Sequence, residues 1–148
     1  PAVEKEEVPG SEELLEKRVV DPESILPSEP IAVAPAVIKR ALENSKKVTV
    51  RNVELVNGRL SAGKNSIRIN FVCDSANSVN DKYALICAVI YHLDKETKTV
   101  DVIVGTAEDD KTNIMAVLQS NMKDITAWMT NKVSRAEWLS NKVTKKTL

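Results

Sequence analysis

The chain has 148 residues, 21 basic and 21 acidic side chains, and 43% hydrophobic residues, which fits one globular domain of ordinary composition. A net charge of zero argues against a highly basic nucleic-acid-binding protein, and one histidine argues against His-rich metal sites. Two cysteines exclude a disulfide-dense secreted scaffold, and no apolar stretch approaches the roughly 18 residues of a membrane span. We therefore expect a cytoplasmic, reducing environment and no membrane partner.

Residues 1–34 are predicted to form an extended or disordered arm that is acidic and rich in proline. Five of the six prolines lie there, and residues 1–30 hold nine acids against three bases, a net charge of −6 that leaves +6 for the remainder. Such a segment buries too little apolar surface to offset the entropy of ordering it.

Pairs of hydrophobic residues nevertheless recur every five or six positions along this arm. They predict an arm that docks in grooves, on its own body or on a neighbouring subunit, with a disordered tail as the alternative. The residues expected to bind the partner are Leu14, Leu15, Val19, Val20, Ile25 and Leu26.

Residues 35–148 are predicted to form one α+β domain that begins with a helix and two strands. Pro35 suits the first turn of a short helix that continues to Asn44. Alternating apolar residues from Lys47 predict a strand, and the shift in their phase at Asn52 indicates a β-bulge. After a turn at Asn57-Gly58, a second alternating segment predicts a strand over 67–73.

The almost wholly apolar segment Tyr83–Leu93 predicts a central strand that is covered on both faces. It would form a hairpin with Thr99–Gly105, in which Val100, Val102 and Val104 alternate with other residues. Since the helices that follow could cover one face well, the second face would need the arm, the first helix or another subunit. This pattern predicts self-association.

Two C-terminal helices are predicted after the sheet. The first, over Lys111–Thr130, has apolar residues at steps of three and four and could be capped by Asp109 or Asp110. The second, over Arg135–Lys145, follows a capping box formed by Ser134 and Glu137. The expected fold is thus an antiparallel sheet of about four strands with a short N-terminal helix and two C-terminal helices.

One loop approximates a phosphate-binding motif. Residues 58–65 match the pattern G-x-x-x-x-G-K-[ST] except that Asn65 replaces the hydroxyl residue. A phosphate site requires this loop to open a helix, whereas alternating residues after Asn65 predict a strand. We therefore expect a hairpin loop and neither a cofactor nor a small-molecule substrate.

Other residue types that support catalysis are sparse. His92 is predicted to be a structural, hydrogen-bonded residue near the end of the central strand. Cys73 and Cys87 are predicted to lie in neighbouring strands as buried thiols, with a cross-strand disulfide as the alternative. No spacing of ligands predicts a metal site.

The C-terminal region 122–148 has a net charge of +4, and two tryptophans lie among its basic residues. Basic and aromatic side chains together can bind nucleic acid. The candidate contacts are Lys132, Arg135, Lys142, Lys145 and Lys146.

These patterns favour a non-enzymatic structural or assembly subunit that self-associates through its N-terminal arm. Small virion or phage-particle subunits have this organisation, by analogy, so incorporation into a virion is one expectation. The alternative is a small nucleic-acid-binding or transcription-modulating protein that uses the basic C-terminal helices.

Overall fold

The computed structural model describes residues 30–58 and 63–148, so the six hydrophobic residues predicted to anchor the arm lie outside the described residues. The elements in chain order are α1 (Pro35–Asn44), β1 (Thr49–Val56), β2 (Ser66–Val72), α2 (Val79–Asp94), β3 (Val102–Glu108), β4 (Ile114–Asn121), α3 (Met122–Met129), α4 (Arg135–Asn141) and β5 (Thr144–Thr147). No helix among these described residues is long and apolar enough to cross a bilayer.

The five strands form one mixed sheet in the order β1-β2-β3-β4-β5. Neighbouring strands are antiparallel except β2 and β3, which are parallel. The α+β class is therefore confirmed, but the expected sheet of about four antiparallel strands is corrected. The parallel pair exists because α2 carries the chain back along the sheet between β2 and β3, as a crossover helix does.

The segment Tyr83–Leu93 is helical, and its prediction as a central strand is wrong. Its buried residues are spaced by three and four, at Tyr83, Ile86, Cys87 and Ile90, which places them on one side of α2 against the sheet. The predicted hairpin with 99–105 is consequently absent among the described residues. Tyr83–Leu93 is apolar nearly all round, so its composition concealed the helical period.

The predicted helix Lys111–Thr130 is a strand followed by a shorter helix. Ala116, Leu118 and Ser120 are buried at alternate positions of β4, and α3 begins only at Met122. Asp109 does not cap a helix, because its carboxylate accepts hydrogen bonds from the backbone N–H groups of Lys111 and Asn113 and from the Asn113 amide. It therefore organises the β3–β4 turn.

The first three elements of the body, α1, β1 and β2, match their predictions closely. Helix α1 begins at Pro35, and the register of β1 on β2 shifts between Val50 and Asn52, where the bulge is predicted. At the C-terminus, Ser134 Oγ accepts a hydrogen bond from the Glu137 N–H, 3.0 Å away, as the N-cap prediction requires. Helix α4 ends at Asn141, short of the predicted Lys145, because the chain next pairs with β4 as β5.

The two faces of β3 have different surroundings. Ile103 and Ala107 are fully buried beneath the helices, and between them a Cβ on Gly105 would lie 2.7 Å from Tyr83 Cδ1. The Tyr83 hydroxyl donates to the Ile103 carbonyl at 2.7 Å, which fixes the ring in that space. Because side chains alternate along a strand, Val104 and Thr106 lie on the opposite side, which we call the outer face.

Candidate functional site

A stack of three aromatic rings leads from the sheet to the helical surface. Trp138 is fully buried between Tyr83, whose ring centroid is 6.0 Å away, and Trp128 at 4.5 Å, with both ring pairs nearly parallel. The Trp138 Nε1–H donates to Ser120 Oγ at 3.0 Å, which satisfies two buried polar groups. Trp128 therefore rests on a rigid support and is half-buried at the surface.

Trp128 forms part of the wall of a groove along the outer side of α2, with a volume of about 570 Å³. Its apolar floor includes Leu85 and Ala88, which lie on the side of α2 away from the sheet. We call this feature the α2 groove, and its lining residues are Lys47, Ser78, Asp81, Lys82, Ala84, Leu85, Ala88, Trp128 and Arg135.

The rim of the α2 groove is positively charged, with three basic residues against one carboxylate. Lys82 Nζ donates to the Lys47 carbonyl at 2.8 Å, which joins α2 to the α1–β1 connection. Arg135 forms an ion pair with Asp81 at 2.6 Å, which joins α4 to α2. An apolar floor with a cationic rim suits a segment that carries both hydrophobic and acidic residues.

A wider and more polar pocket of about 980 Å³ lies near the other end of α2, between that helix and α3. Its basic residues, which include Lys95, Lys123 and Lys132, are interspersed with acids such as Asp101 and Asp124. This mixture gives the polar pocket no preference for a ligand of one charge.

Asp94, which borders the polar pocket, has a structural role. Its two carboxylate oxygens accept hydrogen bonds from the side chains of Thr97 and Thr99 and from the N–H groups of Thr99 and Val100. These contacts shape the connection from α2 to β3. They also explain why this carboxylate is buried, with an exposed fraction of 2%.

The outer face is a second candidate surface, because no helix among the described residues packs on it. The helices lie on the other side of the sheet, where α1, α2 and α3 contact one another or the strands. Helix α4 is held on that same side by Trp138, whose ring stacks on Tyr83.

On the outer face, Val104, Thr106 and Val117 are half-buried, whereas Arg68 and Gln119, which flank Val104, are exposed. Its members, by register, include Asn52, Glu54, Arg68, Asn70, Val72, Val104, Thr106, Glu108, Val117, Gln119, Thr144 and Lys146.

One end of the outer face is closed by a charged bridge across β1, β2 and β3. Glu108 accepts from the Arg51 guanidinium at 2.8 Å and from the Asn70 amide at 2.6 Å. Arg51 is the residue at the bulge of β1, so the bulge directs this side chain towards Glu108. The bridge gives the buried Glu108 carboxylate both a charged and a neutral hydrogen-bond donor.

The structure does not gather the five basic residues predicted to contact nucleic acid into one surface. Lys132 borders the polar pocket and Arg135 borders the α2 groove. Lys145 and Lys146 lie on opposite sides of β5, since Lys145 contacts Asn80 of α2 and Lys146 is paired with Val117 of the outer face. Lys142 is exposed at the end of α4.

The phosphate-loop candidate leads into a strand, as its prediction states. Asn65 is buried, and its side-chain oxygen accepts from the Gly58 N–H at 2.7 Å while its amide donates to the Thr99 carbonyl at 2.8 Å. Residues 59–62 lie outside the described residues. Because β2 begins at Ser66, no helix N-terminus follows the loop to receive a phosphate.

The remaining candidates for chemistry are inert or exposed. His92 lies in α2, where it is exposed and edge-on to Tyr91, which corrects its placement in a strand. Cys73 follows β2 and Cys87 lies in α2; both are buried and unpaired, and burial raises the pKa of each thiol. A raised pKa disfavours the nucleophilic thiolate.

Among residues 30–58 and 63–148, no three His, Cys, Asp or Glu side chains are grouped so that they could hold a metal ion. The chain matches no family model, no curated protein and no solved structure. The α2 groove and the outer face are therefore judged from their own chemistry. The α2 groove was not predicted from the sequence. The feature that could have indicated it is the excess of apolar residues in Tyr83–Leu93, more than one buried side of a helix requires.

Proposed function

We propose that the protein is a non-enzymatic assembly subunit, and that the arm of one copy docks in the α2 groove of a neighbour. The observation that carries this proposal is the combination of an apolar floor and a cationic rim in that groove. The first basis for expecting self-association, a central strand at Tyr83–Leu93, is wrong. The expectation of self-association now rests on the outer side of α2, where Leu85 and Ala88 are only half-buried.

The arm has the chemistry that the α2 groove would select. Leu14 and Leu15 are flanked by Glu12, Glu13 and Glu16, so two apolar side chains stand among three carboxylates. The leucines suit Leu85 and Trp128, and the carboxylates suit Lys47 and Lys82 on the rim. Opposite charges on the two surfaces would also accelerate their encounter at low salt.

The length of the arm allows it to reach a neighbour. Residues 1–29 could span up to roughly 95 Å if fully extended, whereas the 16-residue α2 is about 24 Å long. The chain joins the body at the C-terminal end of α2, where the Ala32 N–H donates to Thr99 Oγ1 at 2.9 Å. From that point an extended arm reaches well beyond its own groove.

Sedimentation velocity on the full chain tests the proposal. The Leu85→Asp substitution, which places a carboxylate on the apolar floor, should lower the sedimentation coefficient at a given concentration, and so should Leu14→Asp with Leu15→Asp in the arm. Ala36→Asp is the matched control, because Ala36 is exposed in α1 and does not line the groove. Ala36→Asp should sediment as the wild type does.

The charge of the rim gives an independent check. Lys82→Glu should weaken association more than Lys39→Glu, which makes the same charge change at an exposed position of α1. Added salt should weaken the association of the wild type, because exposed charges are screened. A wild-type chain that is monomeric, or groove and arm variants that associate as the wild type does, would overturn the proposal.

Nucleic-acid binding stays an alternative prediction from the sequence. The five basic residues behind it are distributed over several surfaces of the body, so no arrangement among the described residues favours it. A titration of single-stranded DNA at low salt would support this alternative if binding were lost in a Lys142→Glu variant.

A further inference from the structure

We propose that the Asn57–Gly58 peptide is a site of spontaneous deamidation, and that the side chain of Asn65 slows this modification in the folded chain. Both residues of the site lie in the connection from β1 to β2. This connection takes no part in the docking of the arm, so each of the two proposals can fail without the other.

The sequence supplies the reactive pair. In deamidation, the backbone nitrogen of the residue after an asparagine loses its proton and forms a bond to the carbon of the side-chain amide, which expels ammonia and closes a succinimide ring. Water then opens the ring to aspartate or isoaspartate, and no oxidant or cofactor is needed. The Gly58 nitrogen is well suited to this attack, because glycine has no Cβ to obstruct it and has the widest choice of backbone conformations.

The fold holds this nitrogen in a hydrogen bond. Gly58 is buried, and its N–H donates to Asn65 Oδ1 at 2.7 Å. The Gly58 carbonyl in turn accepts from the Gly63 N–H at 2.6 Å, so the backbone of Gly58 is fixed on both sides. An N–H that is directed at an acceptor oxygen is not directed at the Asn57 amide carbon, and it loses its proton less readily. The hydrogen bond must therefore open before the nitrogen can attack.

Asn65 is itself held by the segment that leads into β3. Its side-chain amide donates to the Thr99 carbonyl at 2.8 Å, and its backbone N–H donates to Asp101 Oδ2 at 2.8 Å. Its carbonyl accepts from the N–H groups of Asp101 and Val102. The acceptor for the Gly58 N–H is therefore positioned by residues outside the β1–β2 connection, and we expect it to stay in place while this part of the sheet is folded.

Peptide mapping of the full chain by mass spectrometry tests the site. The conversion of Asn57 to aspartate and isoaspartate is followed at mildly alkaline pH in the folded wild type and in the wild type unfolded by guanidinium chloride. Unfolding should accelerate the conversion at least about tenfold, because it breaks the hydrogen bond of Gly58. An unfolded chain in which Asn57 stays unmodified would overturn the site, and equal rates in the two states would overturn its protection by the fold.

The Asn65→Ala variant assigns the protection to one side chain. It removes the acceptor of the Gly58 N–H, so Asn57 in the folded variant should convert about fivefold faster than in the folded wild type. Asn44, which precedes Ser45 at the exposed end of α1, is the internal control and should convert equally in both proteins. A folded variant in which Asn57 converts at the wild-type rate would overturn the role of Asn65.

Hydrogen exchange at the Gly58 amide keeps the test decisive if Asn65→Ala fails to fold, since it needs only the wild type. Exchange and deamidation both require the bond from Gly58 to Asn65 to open, so folding should slow the two reactions by similar factors. A Gly58 amide that exchanges as fast in the folded chain as in the unfolded chain would overturn the protection by Asn65.

Discussion

The two sides of the sheet differ in how completely the chain covers them. On the helical side, α2 and the ring stack fill the space above β3 so closely that Gly105 has no room for a side chain. On the outer face, one residue away along the same strand, Val104 and Thr106 are only half-buried. Stability is therefore concentrated on the helical side, whereas the outer face is available for contact with other molecules.

We expect the largest loss of stability from a substitution in the ring stack, which lies on the helical side of the sheet. Replacing the fully buried Trp138 by Ala removes its stacking on Tyr83 and Trp128 and leaves Ser120 Oγ without its donor. We expect the free energy of unfolding to fall by about 3–5 kcal/mol. Urea denaturation measures this change. A Trp138→Phe variant, which retains a stacked ring, should lose less; equal losses would contradict the role of stacking.

Adjacent residues of β3 provide the sharpest comparison between the two sides. Gly105→Ala forces a Cβ against the Tyr83 ring, and this overpacking should cost about 1–3 kcal/mol of stability. Thr106→Ala on the outer face should change the stability of the monomer by about 0.5 kcal/mol or less. Thermal unfolding at low protein concentration measures both. A tolerated Gly105→Ala would show that Tyr83 can move away.

A smaller effect is expected at the β3–β4 turn, on neither side of the sheet. Hydrogen bonds from Asn113 hold the pKa of Asp109 below its ordinary value of 3.8. The folded state therefore binds the proton less readily than the unfolded state, so the stabilisation is present above pH 3.8 and is lost as the pH falls through the folded pKa.

An Asp109→Asn variant measures this contribution. The stability difference between the wild type and Asp109→Asn should be constant near neutral pH and should shrink below about pH 4. The change is small because Asp109 lies in a surface turn, where solvent weakens the electrostatic contribution of a carboxylate. A difference that grew on acidification would contradict the assigned direction of the pKa shift.

Local signals allowed α1, β1 and the start of α4 to be predicted from the sequence. Pro35 defines the start of α1, and the shift of phase near Asn52 predicts the bulge of β1, because both effects depend on a few adjacent residues. Ser134 as an N-cap is a similar case. In each case the backbone geometry is determined by its immediate neighbours.

The elements α2, β4 and β5 could not be predicted in the same way, because the apolar residues of α2 and β4 fit more than one period and β5 has none that are buried. In β4, Ile114, Val117 and Leu118 have helical spacing, whereas the small residues Ala116 and Ser120 hide the alternation of the strand. Strand β5 has no buried residue that would reveal it. The apolar excess of Tyr83–Leu93 was recognised, but only the fold shows which side of it faces the sheet and which faces the groove.

The most direct test of self-association is the mass of the unmodified full chain in solution as a function of concentration, measured by sedimentation equilibrium. An assembly subunit should have a mass above 16.3 kDa that rises with protein concentration and falls with added salt. A mass that stays at 16.3 kDa over the whole concentration range would contradict the docking of the arm in the α2 groove of a neighbour.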